Sequence, residues 1–223
     1  LHLMNHIHIP FISSADSNTP LEQIDVLMDS MPKHAIDNEP WPQFKSTSAA
    51  AFAIAHCGDA VLLKYYVKED VIRSVMYRTN DPVHKDNCVE FFIALEAEQA
   101  YYNIEMNCFG ICSMGYRFDG EERRFLPEGT IEKIRRNMIL QSVPAGSGAK
   151  YEWQLTVIIP AEVFIFSQPG SLTGKKARAN FFKCGDDLPN PHFLSWNRIV
   201  NDRPDFHLPE FFGTLEFGRT SDQ

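Results

Sequence analysis

The stretch Asp86-Asn87-Cys88-Val89-Glu90-Phe91-Phe92-Ile93-Ala94-Leu95 reads as a β-strand, a run of aromatic and β-branched residues set between a polar lead-in and an acidic loop. Side chains alternate across a strand, so Cys88, Glu90 and Phe92 share one face and Val89, Phe91 and Ile93 the other. The second face is wholly apolar and belongs in a core. The first carries a carboxylate in the middle of a strand too apolar to stand in water. A buried, unpaired carboxylate is costly, so Glu90 must either find partners or line a cleft.

The segments on either side have the same character. Residues 49–56 and 60–67 flank Cys57-Gly58-Asp59, a hairpin turn. Residues 71–77 read as a further strand, and a polar loop over 78–87 leads into the quoted stretch. Beyond a turn at 96–100, residues 101–109 alternate, with Asn103, Glu105 and Asn107 on one face and Tyr102, Ile104, Met106 and Cys108 on the other. Residues 111–118, 151–159, 177–184, 193–196 and 211–217 extend the series. Near the start, residues 5–12 suit an edge strand, which tolerates Pro10. The histidines there, His2, His6 and His8, read as solvent-facing positions rather than ligands.

Helical spacing is confined to two places. Leu21, Ile24, Leu27 and Met28 mark a short amphipathic helix stopped by Pro32. Residues 127–140 space Ile131, Ile134 and Met138 as a second short helix, with Arg135 and Arg136 facing water. Roughly nine or ten short strands separated by turn signals predict an all-β antiparallel sandwich with short helices in its connections. It is expected as a single domain over residues 1–223.

Composition agrees. A content of 17 Phe, 7 Tyr and 3 Trp favours pleated surfaces, and 44% hydrophobic residues suffice for a core. Trp153 and Trp196 are expected inside it. The net charge of -8 argues against a nucleic-acid partner, which needs a basic surface. No run of 18 apolar residues marks a membrane span, and residues 1–12 lack the basic and apolar regions of a signal peptide. The five cysteines, Cys57, Cys88, Cys108, Cys112 and Cys184, are too scattered for a disulfide framework. Cys108 and Cys112 are spaced by four but have no second pair to complete a zinc site. Core or free thiols are expected, which leans toward a cytoplasmic, reducing compartment; removal of a leader would point instead to secretion or the periplasm.

Five phrases, taken in order, resemble one family: Asp86-Asn87-Cys88-Val89-Glu90-Phe91-Phe92, Tyr101-Tyr102-Asn103-Ile104-Glu105-Met106-Asn107, Ala179-Asn180-Phe181-Phe182-Lys183-Cys184-Gly185-Asp186, His192-Phe193-Leu194-Ser195-Trp196, and Phe206-His207-Leu208-Pro209-Glu210-Phe211-Phe212-Gly213-Thr214-Leu215. The set, spanning about Trp41 to Phe217, resembles the family 9 carbohydrate-binding modules. The resemblance implies a DOMON-like, jelly-roll-type β-sandwich that binds a mono- or oligosaccharide on a concave sheet face, without catalysis, in the service of polysaccharide or oligosaccharide breakdown. Glu90 matches the family's strand carboxylate that accepts hydroxyl protons. Asn107 matches a polar strand residue, and Asn180 lies near another. In sugar-binding members two tryptophans clamp the ring; here those positions fall near His84 and at Phe206. The family's strand arginine falls on Glu105 and its strand amide near Phe182. The ligand-binding set expected is therefore Glu90, Glu105, Asn107, Asn180, His84 and Phe206.

Carboxylates and amides suit sugar hydroxyls, and aromatic rings suit the apolar face of a pyranose. The plainer alternative is that the Glu90, Glu105, Asn103 and Asn107 row covers a solvated sheet face. Two other functions compete. A glycoside hydrolase would use Glu90 and Glu105 as its carboxylate pair. A haem-binding domain, which some DOMON-like proteins are, would draw on Met106, Met114, His84 and His192. No cofactor is required by the binding reading. The resemblance admits structural calcium, for which Asp81, Asp86, Asp186 and Asp187 are the loop oxygen donors.

Overall fold

Period-two alternation over most of the chain produces strands, and their apolar faces drive them into two sheets packed face to face. The structure, a computed structural model, describes residues 4–96, 98–118, 121–146 and 148–219; His2 lies outside them. In chain order the strands are β1 (His6–Ile9), β2 (His34–Ala35), β3 (Ala49–His56), β4 (Ala60–Glu69), β5 (Cys88–Leu95), β6 (Tyr101–Asn107), β7 (Cys112–Arg117), β8 (Arg124–Phe125), β9 (Arg135–Ala145), β10 (Gly148–Pro160), β11 (Lys176–Cys184), β12 (Phe193–Ser195) and β13 (Gly213–Phe217). Among the described residues two α-helices, α1 (Leu21–Asp29) and α2 (Glu128–Ile131), lie in the connections. One sheet runs β1-β13-β11-β5-β6-β7-β8, with β12 also on β11; the other runs β2-β3-β4-β10-β9. Among the named strands β1 and β13 pair in parallel and the other ladders are antiparallel. The all-β sandwich expected from the sequence is the fold observed.

The quoted stretch becomes β5, paired on both sides and buried along its whole length. Val89, Phe91 and Ile93 face the second sheet, as the alternation predicts. Phe181 of β11 lies between Phe91 (ring centroids 4.8 Å apart) and Phe52 of β3 (3.6 Å), a stack that crosses from one sheet to the other. Fully burying rings of this size stabilises by about 1.5–3 kcal/mol each. Trp153 and Trp196 are in this shared core, as expected.

Both outer faces are also covered. On the smaller sheet, Ile24 and Met28 of α1 pack on Ala53, Ala55, Leu62 and Ile158. Lys64, fully buried beneath the helix, reaches Asp25 (2.9 Å) and Asp29 (2.8 Å). On the larger sheet, loops bring Trp41, Val83, Phe206 and Phe212 down onto Cys88, Phe92 and Phe182, forming a second apolar cluster. A gap between these roofing loops is what positions the site.

Two expectations fail. Residues 71–77 form no strand. The side chains of Asp86 and Asn87 take over their backbone groups: Asn87 accepts from Arg73 N (2.6 Å) and donates to Val71 O (2.9 Å), while Asp86 accepts from Val75 N (3.1 Å) and Met76 N (2.9 Å). Side-chain bonds of this kind compete with a ladder. Residues 127–140 hold one helical turn, α2, and then β9, which pairs with β10. Ile134, Met138 and Leu140 fit a strand's even spacing as well as a helix's, and an eleven-residue ladder outweighs one turn. Arg135 and Arg136 do not simply face water: they donate to the carbonyls of Ser17 and Thr19 and of Gly110.

Candidate functional site

Strand register sets the floor of the site. Glu90 of β5 stands directly beside Glu105 of β6 on one side and Phe182 of β11 on the other. Ser113 of β7 continues the row past Glu105. Above this row the roof is open, leaving a cleft of about 230 Å³ lined by Glu90, Glu105, His84 and Phe206. Four of the six predicted residues thus meet at one place. His84 comes from the turn before β5, and Phe206 from the loop before β13.

The two carboxyl groups are held differently. Glu105 accepts from Asn103 Nδ2 (2.6 Å) and faces Arg123 Nη1 (3.1 Å) and His84 Nδ1 (3.7 Å). Burial alone would raise its pKa, but the His84 contact and the Arg123 charge outweigh burial and hold it below the usual carboxylate range. Glu90 has thiols for partners, Cys184 Sγ at 3.1 Å and Cys88 Sγ at 3.9 Å. Burial, reinforced by the charge of Glu105, drives its pKa well above the usual range. Glu90 therefore keeps its proton to a much higher pH than its neighbour. The same ion pair raises the pKa of His84 against the effect of burial.

Arg123 reaches this row because of a glycine. A Cβ on Gly115 of β7 would stand 2.3 Å from Arg123 Nε and 2.7 Å from Asn103 Oδ1. A glycine inside a strand marks close approach, and here the approaching group is the arginine. It lies over Phe125 (4.6 Å) and donates to Ser113 Oγ (2.9 Å). The strand arginine that the resemblance finds replaced by Glu105 thus has a substitute delivered by the β7–β8 loop. Three buried polar atoms here lack a hydrogen-bond partner: Glu105 Oε2, Asn103 Oδ1 and Arg123 Nε. Such orphans are uncommon in folded proteins. They cluster beside the Glu90–Glu105 pair, which opens on a cleft.

Asn107 and Asn180 do not line it. Asn107 is a loop staple, donating to Met76 O (3.0 Å) and Asp86 Oδ2 (3.1 Å) and accepting from Phe109 N and Ile111 N. Asn180 lies on the correct face but is spent on Asn197, donating to its carbonyl (3.1 Å) and accepting from its N–H (2.8 Å). Cleft residues the sequence reading left out are Arg123, Cys184, Asp186, Phe193, Asp205 and His207. His207 neighbours Phe206 within a quoted phrase and Cys184 and Asp186 lie within another; Arg123 had no signal beyond Gly115 in the strand beside it.

Aromatic surface in the cleft comes from Phe193 and Phe206, one face of the latter being covered by Phe182 at 4.1 Å and 11°. No tryptophan lines it: Trp41 is buried with Nε1 on Asn201 O, and Trp153 and Trp196 are in the core. A larger groove of about 820 Å³ lies beside β1 and β2, but its amides are consumed by backbone carbonyls, Asn5 on Trp196, Asn38 on Ser195 and Asn197 on Phe211.

The competing ligand sets fare worse. Met106 and Met114 point into the core between the sheets, whereas His84 lies in the cleft on the opposite face, and both ring nitrogens of His192 are taken by Lys183 and Asn190. Asp86 accepts from Arg73, Val75, Met76 and Asn107, and Asp81 from the backbone of Tyr77 and Arg78. Asp81 and Asp86, ringed by N–H donors, do not fit a calcium cage, which is built of oxygens.

Comparison with known proteins agrees with the fold. Residues 22–217 match the model of carbohydrate-binding family 9, and the chain belongs to that family. A supposed carbohydrate-binding protein from Bacteroides uniformis superposes with a TM-score of 0.86 at 34% identity, over 96% of this chain and 100% of its own. A family 9 module from Caldicellulosiruptor kristjanssonii, solved with glucose, superposes with a TM-score of 0.62 at 12% identity, covering 98% of both chains. Its structure with cellotriose gives 0.58 at 13% identity, over 98% of this chain and 96% of that one. No curated protein matches. No helix among the described residues is long and apolar enough to cross a membrane.

Proposed function

We propose that this protein captures carbohydrate without transforming it, seating a single sugar ring over Glu90 and Glu105. The observation that carries the reading is the set of orphaned atoms, Glu105 Oε2, Asn103 Oδ1 and Arg123 Nε, beside a carboxyl pair that opens on the cleft. Adjacent sugar hydroxyls each donate and accept, and can complete an unfinished network of mixed polarity. Phe206 offers the apolar contact a ring face needs. A volume of about 230 Å³ is below the roughly 300–1,000 Å³ of clefts that take drug-sized ligands, so one ring fits and a chain must project outward. The glucose and cellotriose in the distant Caldicellulosiruptor structures make gluco-configured sugars the first ligands to try. Absence of tryptophan from the cleft supports weak binding. Capture of oligosaccharides released during polysaccharide breakdown is the role this suits.

Hydrolysis is disfavoured on the same geometry. A hydrolase needs room on both sides of the glycosidic oxygen, and its second carboxylate must be free to act. Here Glu105 is tied to Arg123 and Asn103. Titration calorimetry with glucose, cellobiose and cellotriose is expected to give saturable binding in the micromolar-to-millimolar range, with no turnover of aryl glucosides. Absence of heat at millimolar concentrations of all three and of other common hexoses overturns the proposal.

A further inference from the structure

Cys88 and Cys184 are 96 positions apart in sequence, yet they are direct register partners on β5 and β11. Both project to the cleft side of the sheet, with Glu90 two residues further along the same face of β5. The donor atoms of all three lie within 4.8 Å of one another. We propose that Cys88, Cys184 and Glu90 form a binding site for one thiophilic divalent cation of the zinc class, with the fourth coordination position turned into the cleft.

Edge lengths support this. A tetrahedral zinc with bonds of about 2.3 Å to sulfur and about 2.0 Å to oxygen separates those donors by about 3.5 Å. Glu90 Oε1 lies 3.1 Å from Cys184 Sγ and 3.9 Å from Cys88 Sγ, on either side of that value. Nor are the three donors held by stronger structural partners. The other sulfur contacts are long ones to carbonyls, Cys88 to Val89 O and Cys184 to His84 O at 3.7 Å each. Asp86, one residue pair away, shows the contrast, since its oxygens are occupied by four N–H-bearing groups. Access is also provided. Glu90 and Cys184 form part of the cleft lining, so a cation enters from that side and its open position faces the same space. Two sulfurs with one carboxylate select against calcium and magnesium, which take oxygen shells. The cysteines are all unpaired in the structure, so the thiols are available.

Cobalt(II) reports on this directly, because thiolate ligation adds near-ultraviolet charge-transfer absorption that oxygen and nitrogen ligands do not. Titrating the reduced protein with Co²⁺ is expected to raise that band to an end point at one equivalent, and one equivalent of Zn²⁺ is expected to abolish it. Cys57→Ala, remote from the site, retains the band. Cys88→Ser and Cys184→Ser each diminish it, and Glu90→Gln keeps it while weakening the cation by roughly tenfold or more. Absence of the band in the wild-type protein overturns the proposal without any variant, as does a band that survives in the Cys88→Ser, Cys184→Ser double variant. Sugar titrations in chelator-treated protein are independent of this result, so failure of one reading is distinguishable from failure of the other.

Discussion

Lys183 and Cys184 are consecutive residues of β11, and they point into two different buried polar clusters on opposite faces of one sheet. Inward, Lys183 pairs with Glu69 (2.8 Å) and donates to Cys184 O (2.7 Å) and His192 Nε2 (2.8 Å), while Trp153 Nε1 donates to Glu69 (2.7 Å). Burial, with the Lys183 charge beside it, lowers the His192 pKa to about 4, so the ring is neutral and can accept from the lysine while Nδ1–H donates to Asn190 O. One cation meets one anion away from the cleft, Glu69 Oε1 being held by the ion pair alone. Outward, the carboxyl groups of Glu90, Glu105, Asp186 and Asp205 outnumber Arg123 and His84, three atoms lack a hydrogen bond, and the cluster opens on a cleft. A buried network that is balanced in charge and sealed from solvent serves the fold. One that is unfinished and accessible is built for something that arrives later.

The sharpest test compares a charge removed from each side. Lys183→Met strands Glu69 in the core, and is expected to cost about 3–5 kcal/mol, or roughly 10 °C in Tm. Arg123→Met removes the same charge beside water, where Glu105 can be hydrated or take up a proton, and is expected to cost about 1–2 kcal/mol while abolishing most sugar affinity. Urea and thermal unfolding read the first difference and calorimetry the second. Equal losses of stability would remove the distinction between the clusters.

Within the cleft, the two glutamates should differ. Glu105→Gln deletes an ionised acceptor, worth about 1.5–3 kcal/mol per charged hydrogen bond, and is expected to weaken sugar binding roughly 10- to 100-fold. Glu90 holds its proton to a higher pH than Glu105, so Glu90→Gln is the milder of the two replacements. Its affinity at neutral pH is expected to change by no more than about threefold. The reverse ranking would mean that Glu90 is the anion of the pair.

Acid separates the buried histidines from Glu90 by the sign of their slopes. His192 and His56 have folded pKa values lowered from 6.5 to about 4, chiefly by burial, so their contribution is present above 6.5 and is lost as pH falls toward 4. Each is expected to cost about 2 kcal/mol between pH 6.5 and 5. Glu90 runs the other way: its folded pKa is raised above 4.5, so its contribution is complete below 4.5 and is lost as pH rises through the folded value. Urea midpoints measured from pH 7 to 5 should therefore fall, less steeply in His192→Gln and more steeply in Glu90→Gln.

Alternation alone gave the core strands, because a residue's face depends on its parity. Glu90 and Phe91 could be assigned to opposite sides with no knowledge of their neighbours. What parity cannot reveal is which loops roof the outer face. Asn107 and Glu105 share a face two residues apart, but one lies under the loop bonded to Asp86 and the other under the gap. Residues 71–77 misled for the same reason, since their backbone partners are the side chains of Asp86 and Asn87. Arg123 was invisible because it comes from a loop and acts across two strands. Spacing rules for cysteine ligands search within short windows, and so passed over Cys88 and Cys184, which meet only when β5 pairs with β11.

Gly115 is where the fold and the unfinished cluster touch, and it supports the smallest of the expected effects. A Cβ there would press on the Arg123 side chain at 2.3 and 2.7 Å and on Asn103 Oδ1 at 2.7 Å. The arginine is the flexible one, so it is the group that moves. Gly115→Ala is therefore expected to leave stability within about 1 kcal/mol while weakening sugar binding about 3- to 10-fold, by pulling the guanidinium away from Glu105. If that is the cause, the substitution has no further effect on affinity in an Arg123→Ala background, because there is no longer a side chain to displace. Additive losses in the double variant would place the effect in the strand itself, and the arginine would then be a bystander to the glycine.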